Sequence, residues 1–395
     1  MKYFFVLGTN AALSVAELAA VLDLKKATLL APDFLILETA SEINAENLIK
    51  KLGGVIKIGE IKEEIADSDE TKILKAIFDL ASIKKYQSPE GKFNFGFSDY
   101  GKKQFNKKDL GLKLKKYFSE KNISSRLVIS REKTLSSVVV TQNKLITRGI
   151  EFVLAEQNNQ ILIGETLAVQ PFKDLSRRDF GRPARDDESG MLPPKLAQIM
   201  INLAQVKEVE SLIVDPFCGS GTILSEALLA GYKNLFGSDV SSKAIEDTRK
   251  NISWTKELYK IENAKIKLLV KNVIDLGKFI KSGSVAAIVT EPYLGPQRGL
   301  VEFKTVIKNL EELYSLALQE FKKVLEPTGR IVMIWPLFYG QKPITPNYEG
   351  FKIINMIPEG LRESEFIKKT NRETIVYGRP GQKVYREIVV LEKNN

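Results

Sequence analysis

The 395-residue chain has no histidine and a single cysteine, Cys218. Without imidazole, the commonest general base and the commonest metal ligand are both missing, so carboxylates, lysines, tyrosines or a cofactor must carry any proton chemistry. One cysteine excludes an intramolecular disulfide and a cysteine-rich zinc site, and no metal is expected. No apolar run reaches the length that spans a bilayer, and the opening MKYFFVLGTN lacks the basic segment and cleavage site of a secretory signal. A cytoplasmic protein with no membrane partner is therefore expected. Length, with 44% apolar residues, suits two or three globular domains.

A net excess of either charge is also lacking over most of the chain, since the net +10 is concentrated in residues 101–150, which hold 13 Lys and Arg against 3 Asp and Glu. Within it, GKKQFNKKDLGLKLKKYF carries Lys102, Lys103, Lys107, Lys108, Lys113, Lys115 and Lys116, interleaved with Phe105, Tyr117 and Phe118. Leu110, Leu114, Tyr117 and Phe118 fall on one helical stripe, which leaves the lysines to face outward. Such a surface suits a nucleic-acid phosphate backbone, and a solvated amphipathic helix is the plainer alternative.

The most informative segment is VDPFCGSGT at 214–222, followed by FGSDV ending at Val240. A strand ending in Asp215, a turn with Gly219 and Gly221, and then a helix bring backbone close to a ligand. Asp239, about twenty residues past the glycines, stands where an α/β sheet presents a carboxylate to a ribose. The G-x-G-x-x-G pattern of a dinucleotide site is absent, and an acid before the turn would repel phosphate but accept from an ammonium. S-adenosylmethionine has the ribose and the amino-acid moiety without a phosphate. DPFCGSGT resembles motif I of class I S-adenosylmethionine-dependent methyltransferases, in the form found in enzymes that methylate exocyclic amines of nucleobases. Asp215, Phe217, Cys218, Gly219, Ser220, Gly221, Thr222 and Asp239 are the candidate cofactor residues. Val240 could pack on the adenine, and Asn272 with Val273 follows the next strand, where Asn272 could accept from the adenine amine or simply cap a turn.

EPYLGP at 291–296 follows the strand VAAIVT and resembles motif IV of amino-methyltransferases. There, a carboxylate and a backbone carbonyl take the hydrogens of the amine while an aromatic ring stacks on the base. Glu291, Pro292 and Tyr293 are the candidate catalytic residues. Glu291 stands where Asp is usual, and Tyr293 replaces the second proline, which leaves Leu294 at the usual aromatic position.

Four units are expected: a small α+β part at 1–60, an RNA-binding domain at 61–168, an Arg-rich linker at 169–190, and an α/β domain at 191–395. In the first, Ser14 and Glu17 read as a capping box that opens a helix. In the second, SSVVVT at 136–141 reads as a strand, and QNNQ at 157–160 as the turn of a hairpin. The 61–168 region resembles the THUMP domain of RNA-modifying enzymes. The linker, with Arg177, Arg178, Arg182 and Arg185, followed by MLPPKLAQIMINLA, resembles the junction of Trm11-like tRNA guanine-N2 methyltransferases. Alternating strands and helices from 206 onward predict a doubly wound, mostly parallel sheet, and the resemblance to class I methyltransferases implies a Rossmann-like, seven-stranded form of it with an antiparallel last strand. The resemblance implies methylation of guanine N2 in tRNA, of the position-ten type, by a monomer or with a small activating partner protein. Methylation of rRNA guanine N2, amino-methylation of DNA, and an RNA-binding protein with an inactive methyltransferase fold stay open.

Overall fold

The computed structural model describes residues 1–66, 69–88, 91–101, 104–185, 191–296 and 302–394. Its first part is built on one eight-stranded sheet of β1 (Lys2–Leu7), β2 (Ala27–Ala31), β3 (Phe34–Glu38), β4 (Val55–Ala66), β5 (Phe93–Asp99), β6 (Ser125–Val128), β7 (Gly149–Gln157) and β8 (Gln160–Val169). The spatial order is β2-β3-β1-β4-β8-β7-β5-β6, and only β5 pairs in parallel, with β6 and β7. QNNQ does form the hairpin turn between β7 and β8, with Asn158 and Asn159 at φ 52° and 60°, the left-handed values that a two-residue turn needs.

The division expected at 60/61 falls inside β4. That strand pairs with β1 on one side and with β8 along its whole length on the other, so the two N-terminal parts share one sheet. A buried polar cluster also crosses them: Lys57 of β4 lies 2.5 Å from Glu151 of β7, and Glu151 accepts the hydroxyls of Ser98 on β5 (2.5 Å) and Thr166 on β8 (2.6 Å).

Helices of this part are α1 (Ala11–Val21), α2 (Ala45–Lys51), α3 (Glu70–Gln87), α4 (Lys107–Glu120) and α5 (Ser137–Gln142), followed by α6 (Phe172–Phe180) and α7 (Pro194–Leu203). Two expectations change here. The helix expected to open at Ser14 starts at Ala11, capped by Asn10; Ser14 instead donates to the Gly54 carbonyl (2.7 Å), and Glu17 accepts the amides of Gly53 (2.8 Å) and Gly54 (2.7 Å). The same Glu17 accepts from Asn202 of α7 at 2.8 Å, so the apparent capping box is a tertiary clasp. SSVVVT is helical: Ser136 caps the Val139 amide, and burial of Val140 with Val128, Leu135 and Leu145 outweighs the strand preference of valine.

The second sheet contains β9 (Leu212–Asp215), β10 (Asn234–Asp239), β11 (Lys265–Val270), β12 (Val285–Thr290), β13 (Leu325–Phe338), β14 (Lys342–Pro343), β15 (Phe351–Ile353), β16 (Ile375–Tyr377) and β17 (Val384–Lys393). Its main path is β11-β10-β9-β12-β13-β17-β15, with β14 on β13 and β16 on β17. Strands β9 to β13 pair in parallel and β17 is antiparallel to β13, which is the Rossmann-like order with a reversed strand near one edge. The central strands are buried apolar runs because α8 (Thr222–Leu229), α9 (Ser242–Tyr259), α10 (Phe303–Val324) and α7 belong to the helical layers over the faces. In α10, Leu310, Tyr314, Ala317, Leu318, Phe321 and Val324 repeat at helical spacing on the buried side. The core is continuous: Leu196, Met200 and Leu203 of α7 share one apolar cluster with Leu18, Ile49 and Leu52 of the first part and Ile223 of α8. Among the described residues, no helix is long and apolar enough to cross a membrane.

Candidate functional site

Three consecutive sheet positions bring the site together, because β10, β9 and β12 lie side by side and all end at the same edge. Asp215 ends β9 and is buried at 1% exposure. Its Oδ1 accepts the Thr290 hydroxyl at 2.7 Å and the Phe217 amide at 3.3 Å. Burial pushes this carboxyl up to about 7, opposed by those two hydrogen bonds and aided by the nearby carboxylates of Asp239 and Glu291.

The turn after Asp215 reverses into α8 through two left-handed residues, Gly219 at φ 50° and Gly221 at φ 82°. A side chain on Gly221 would also collide with Thr248, whereas the space beside Gly219 is open. Asp239, at the end of β10, holds the turn from outside: its Oδ2 accepts the Gly219 amide at 3.1 Å and its Oδ1 the Ser241 amide at 2.9 Å. Each oxygen keeps a second lone pair for a ligand hydroxyl. Thr248 donates to the Gly219 carbonyl (2.7 Å), and Asn251 donates to the Ser220 carbonyl (2.8 Å) while exchanging hydrogen bonds with the backbone of Ala184. Cys218 is buried and its thiol is pushed well up by that burial, which makes it a packing residue of the turn.

Beyond the turn opens a cleft of about 710 Å3, lined by Asp215, Phe217, Cys218, Gly219, Ser220, Thr222, Asp239, Val240, Asn272, Val273, Glu291, Pro292 and Tyr293. All the expected cofactor and catalytic residues except Gly221 therefore line one cavity. Its size is that of a small-molecule pocket. Val240 is exposed and Val273 is buried. Asn272 uses its carbonyl oxygen to cap the 3-10 turn Val273–Lys278, accepting the Ile274 amide at 3.3 Å, so its capping role is real. Met191 and Leu192, from the start of MLPPKLAQIMINLA, line the same cleft, as do Lys243, Ala244, Asp247 and Lys271, which carry no local motif that would announce them.

Glu291 follows β12, and its Oε1 accepts from Arg386 of β17 at 2.5 Å. Burial raises the Glu291 pKa while the Arg386 guanidinium lowers it. Sequence reading missed Arg386, Thr290 and Asn251, whose partners lie 95, 75 and 31 residues away along the chain. Tyr293 is 61% exposed and Leu294 is buried, so the one-residue shift in this motif puts the available ring at 293. The Tyr293 carbonyl accepts from the buried Tyr314 hydroxyl at 3.2 Å.

The basic residues divide. On α4, Lys108, Lys113, Lys115 and Lys116 are exposed and Gly111, Leu114 and Phe118 face the core. Lys113 pairs with Asp109 at 2.7 Å and Lys107 is held by Asp99 (3.7 Å) and the Lys133 carbonyl. Lys102 and Lys103 lie outside the described residues. The stretch expected to be an Arg-rich linker instead packs on the second domain through α6. Arg178 is buried between Glu226 and Asp174, and Arg182 is buried with Nη1 2.5 Å from the Thr222 hydroxyl. These two arginines are therefore buried against α8 and do not face outward. Arg177 is exposed, and Arg185, also exposed, lies 5.3 Å from the Phe180 ring.

A Rossmann-like sheet with paired acids at a glycine turn and a carboxylate on the next strand defines the class I methyltransferase fold. Residues 182–337 match the family described as RMKL-like, methyltransferase domain. The tRNA (guanine(10)-N2)-dimethyltransferase of Pyrococcus abyssi (strain GE5 / Orsay) is 29% identical over 192 residues, 49% of this chain and 51% of that protein. A probable tRNA (guanine(10)-N2)-dimethyltransferase of Methanothermococcus thermolithotrophicus is 32% identical over 125 residues, 31% of this chain and 69% of that protein. TrmN from Thermus thermophilus, at 16% identity, aligns over the whole of both chains with a TM-score of 0.56, which is a likeness of fold. The chain belongs to the Trm11-like family of methyltransferases. It spans about half the length of the Pyrococcus relative it matches.

Proposed function

We propose that the chain methylates guanine N2 in tRNA at a position-ten type site, using S-adenosylmethionine. The observation that carries this reading is the gathering of Asp215, Asp239 and Glu291 on neighbouring strand ends around one cleft, together with the activity named for its relatives. The donor set suits the cofactor: the buried Asp215 carboxyl matches an ammonium, Asp239 has lone pairs for ribose hydroxyls, and Val240 with Asn272 borders a place for the adenine. The cofactor supplies an electrophilic methyl group on a sulfonium. Transfer of that methyl group would form an N–C bond at guanine N2 at the expense of the S–C bond, with one amine proton to be taken up.

Residues of the chain make that nitrogen available. Glu291 is steered by Arg386 through one oxygen, leaving Oε2 to accept an amine hydrogen and so localise the nitrogen lone pair. Burial raises the proton affinity of the same carboxylate, which fits it to receive the released proton. Tyr293, exposed where it lines the cleft, flanks the base in this reading. The first eight-stranded sheet, with a THUMP-like part and the exposed Lys108, Lys115 and Lys116 of α4, would grip the folded RNA, with Arg177 beside the junction.

The deciding experiment incubates the protein with labelled S-adenosylmethionine and separate pools of tRNA, rRNA and DNA, followed by digestion and nucleoside mass spectrometry. N2-methylated guanosine from tRNA is expected. Label confined to rRNA or DNA would overturn the substrate, and no label anywhere despite cofactor binding would overturn the activity.

A further inference from the structure

On the edge where Glu291 and Tyr293 stand, the next strand, β13, ends in a turn whose backbone is strained. Tyr339 has φ 52° and Gly340 φ 70°; glycine adopts that conformation freely, whereas a bulky aromatic residue is an outlier there. The turn is held by the Tyr339 amide donating to the Lys383 carbonyl at 2.8 Å and the Gln341 amide donating to Phe338 at 3.0 Å. What the strain holds in place is a large side chain in solvent, since Tyr339 is 53% exposed.

This ring belongs to a ladder that starts in the catalytic turn. A Cβ on Gly295 would come within 3.2 Å of the Phe338 ring; Phe338 meets Phe303 edge-on at 5.4 Å between centroids, and Phe303 meets Tyr339 at 5.2 Å. Two ammonium groups flank it, Lys342 at 5.8 Å and Lys383 at 5.6 Å from the Phe303 ring. Exposed aromatic faces beside cations are the chemistry that holds unstacked nucleotides, with rings taking the bases and lysines the phosphates.

We propose that Tyr339, backed by Phe303 with its bordering ammonium groups of Lys342 and Lys383, stacks on a nucleotide neighbouring the target guanosine and holds the RNA strand open at the cleft. The inference rests on the RNA-methylating reading above. It assigns the rim of the second domain a share of RNA binding separate from the basic helix α4.

The test compares wild type, Tyr339→Asn and Tyr339→Phe in fluorescence anisotropy with unfractionated tRNA, alongside calorimetric S-adenosylmethionine binding. Asn tolerates the left-handed backbone, so Tyr339→Asn removes the ring without adding strain. RNA affinity about tenfold weaker in Tyr339→Asn, retained in Tyr339→Phe, with cofactor affinity unchanged in both, is the expected result. Lys342→Gln should also lower the salt dependence of RNA binding by about one unit of slope. RNA affinity equal in wild type and Tyr339→Asn would overturn the proposal. Wild-type methylation of the same RNA decides the underlying activity independently, and a wild type that binds no RNA would sink both.

Discussion

If Asp215 receives the ammonium of the cofactor, binding must be linked to its ionisation. The free carboxyl titrates at about 7, mainly because it is buried, so about half of the sites are ionised at neutral pH and about a tenth at pH 6. Only the ionised form pairs with the cation, so the dissociation constant for S-adenosylmethionine should rise about tenfold from pH 8 to pH 6, equivalent to about 1.4 kcal/mol. Binding at pH 6 should release close to one proton. Calorimetry at pH 6, 7 and 8 in two buffers of different ionisation enthalpy measures both quantities. Asp215→Asn should weaken binding and abolish its pH dependence over this range. Affinity that is flat between pH 6 and 8, with no proton release, would refute the assignment of Asp215 to the ammonium.

Three other outcomes follow from the geometry. Lys57→Met leaves Glu151 buried without its cation and should cost about 3–5 kcal/mol in urea unfolding, much of it recovered when Glu151 is replaced by Leu as well; a loss below about 1 kcal/mol in the single variant would mean the pair is dispensable. Glu17 is pushed up to about 7 by burial, so the folded state holds a proton that the unfolded chain gives up near its ordinary value. Its contribution of about 3 kcal/mol is present below about pH 4.5 and lost as pH rises through about 7. Wild-type stability should therefore fall over that window more steeply than that of Glu17→Gln, and identical pH profiles in calorimetric scans would contradict this. Arg386→Gln should lower kcat for methyl transfer about 100-fold while S-adenosylmethionine affinity stays within a few-fold, with partial recovery in Arg386→Lys; unchanged kcat would remove Arg386 from the positioning of Glu291.

The glycine turn and its two acids were legible because that chemistry is local: strand, turn and helix need specific residues at short spacing, and Asp239 lies one β-α-β step further on. Periodicity likewise announced the alternating second domain and the buried stripe of α4. Long-range partners were not legible. Arg178 and Arg182 look like surface cations in a charged stretch, yet both are buried against α8. Ser14 and Glu17 match a capping box by spacing, and only the approach of Gly53, Gly54 and Asn202 turns them into a clasp.

What the sequence by itself determined was the class of chemistry: no imidazole, a single thiol, a turn suited to a nucleoside without phosphates, and a carboxylate after a central strand. Tertiary structure decided how those groups are tuned. Burial raises Asp215 and Glu291, Arg386 orients Glu291 from 95 residues away, and β4 joins two apparent units into one sheet. Spacing along a chain encodes local backbone geometry, whereas desolvation and pairing depend on which distant segments the folded core brings together.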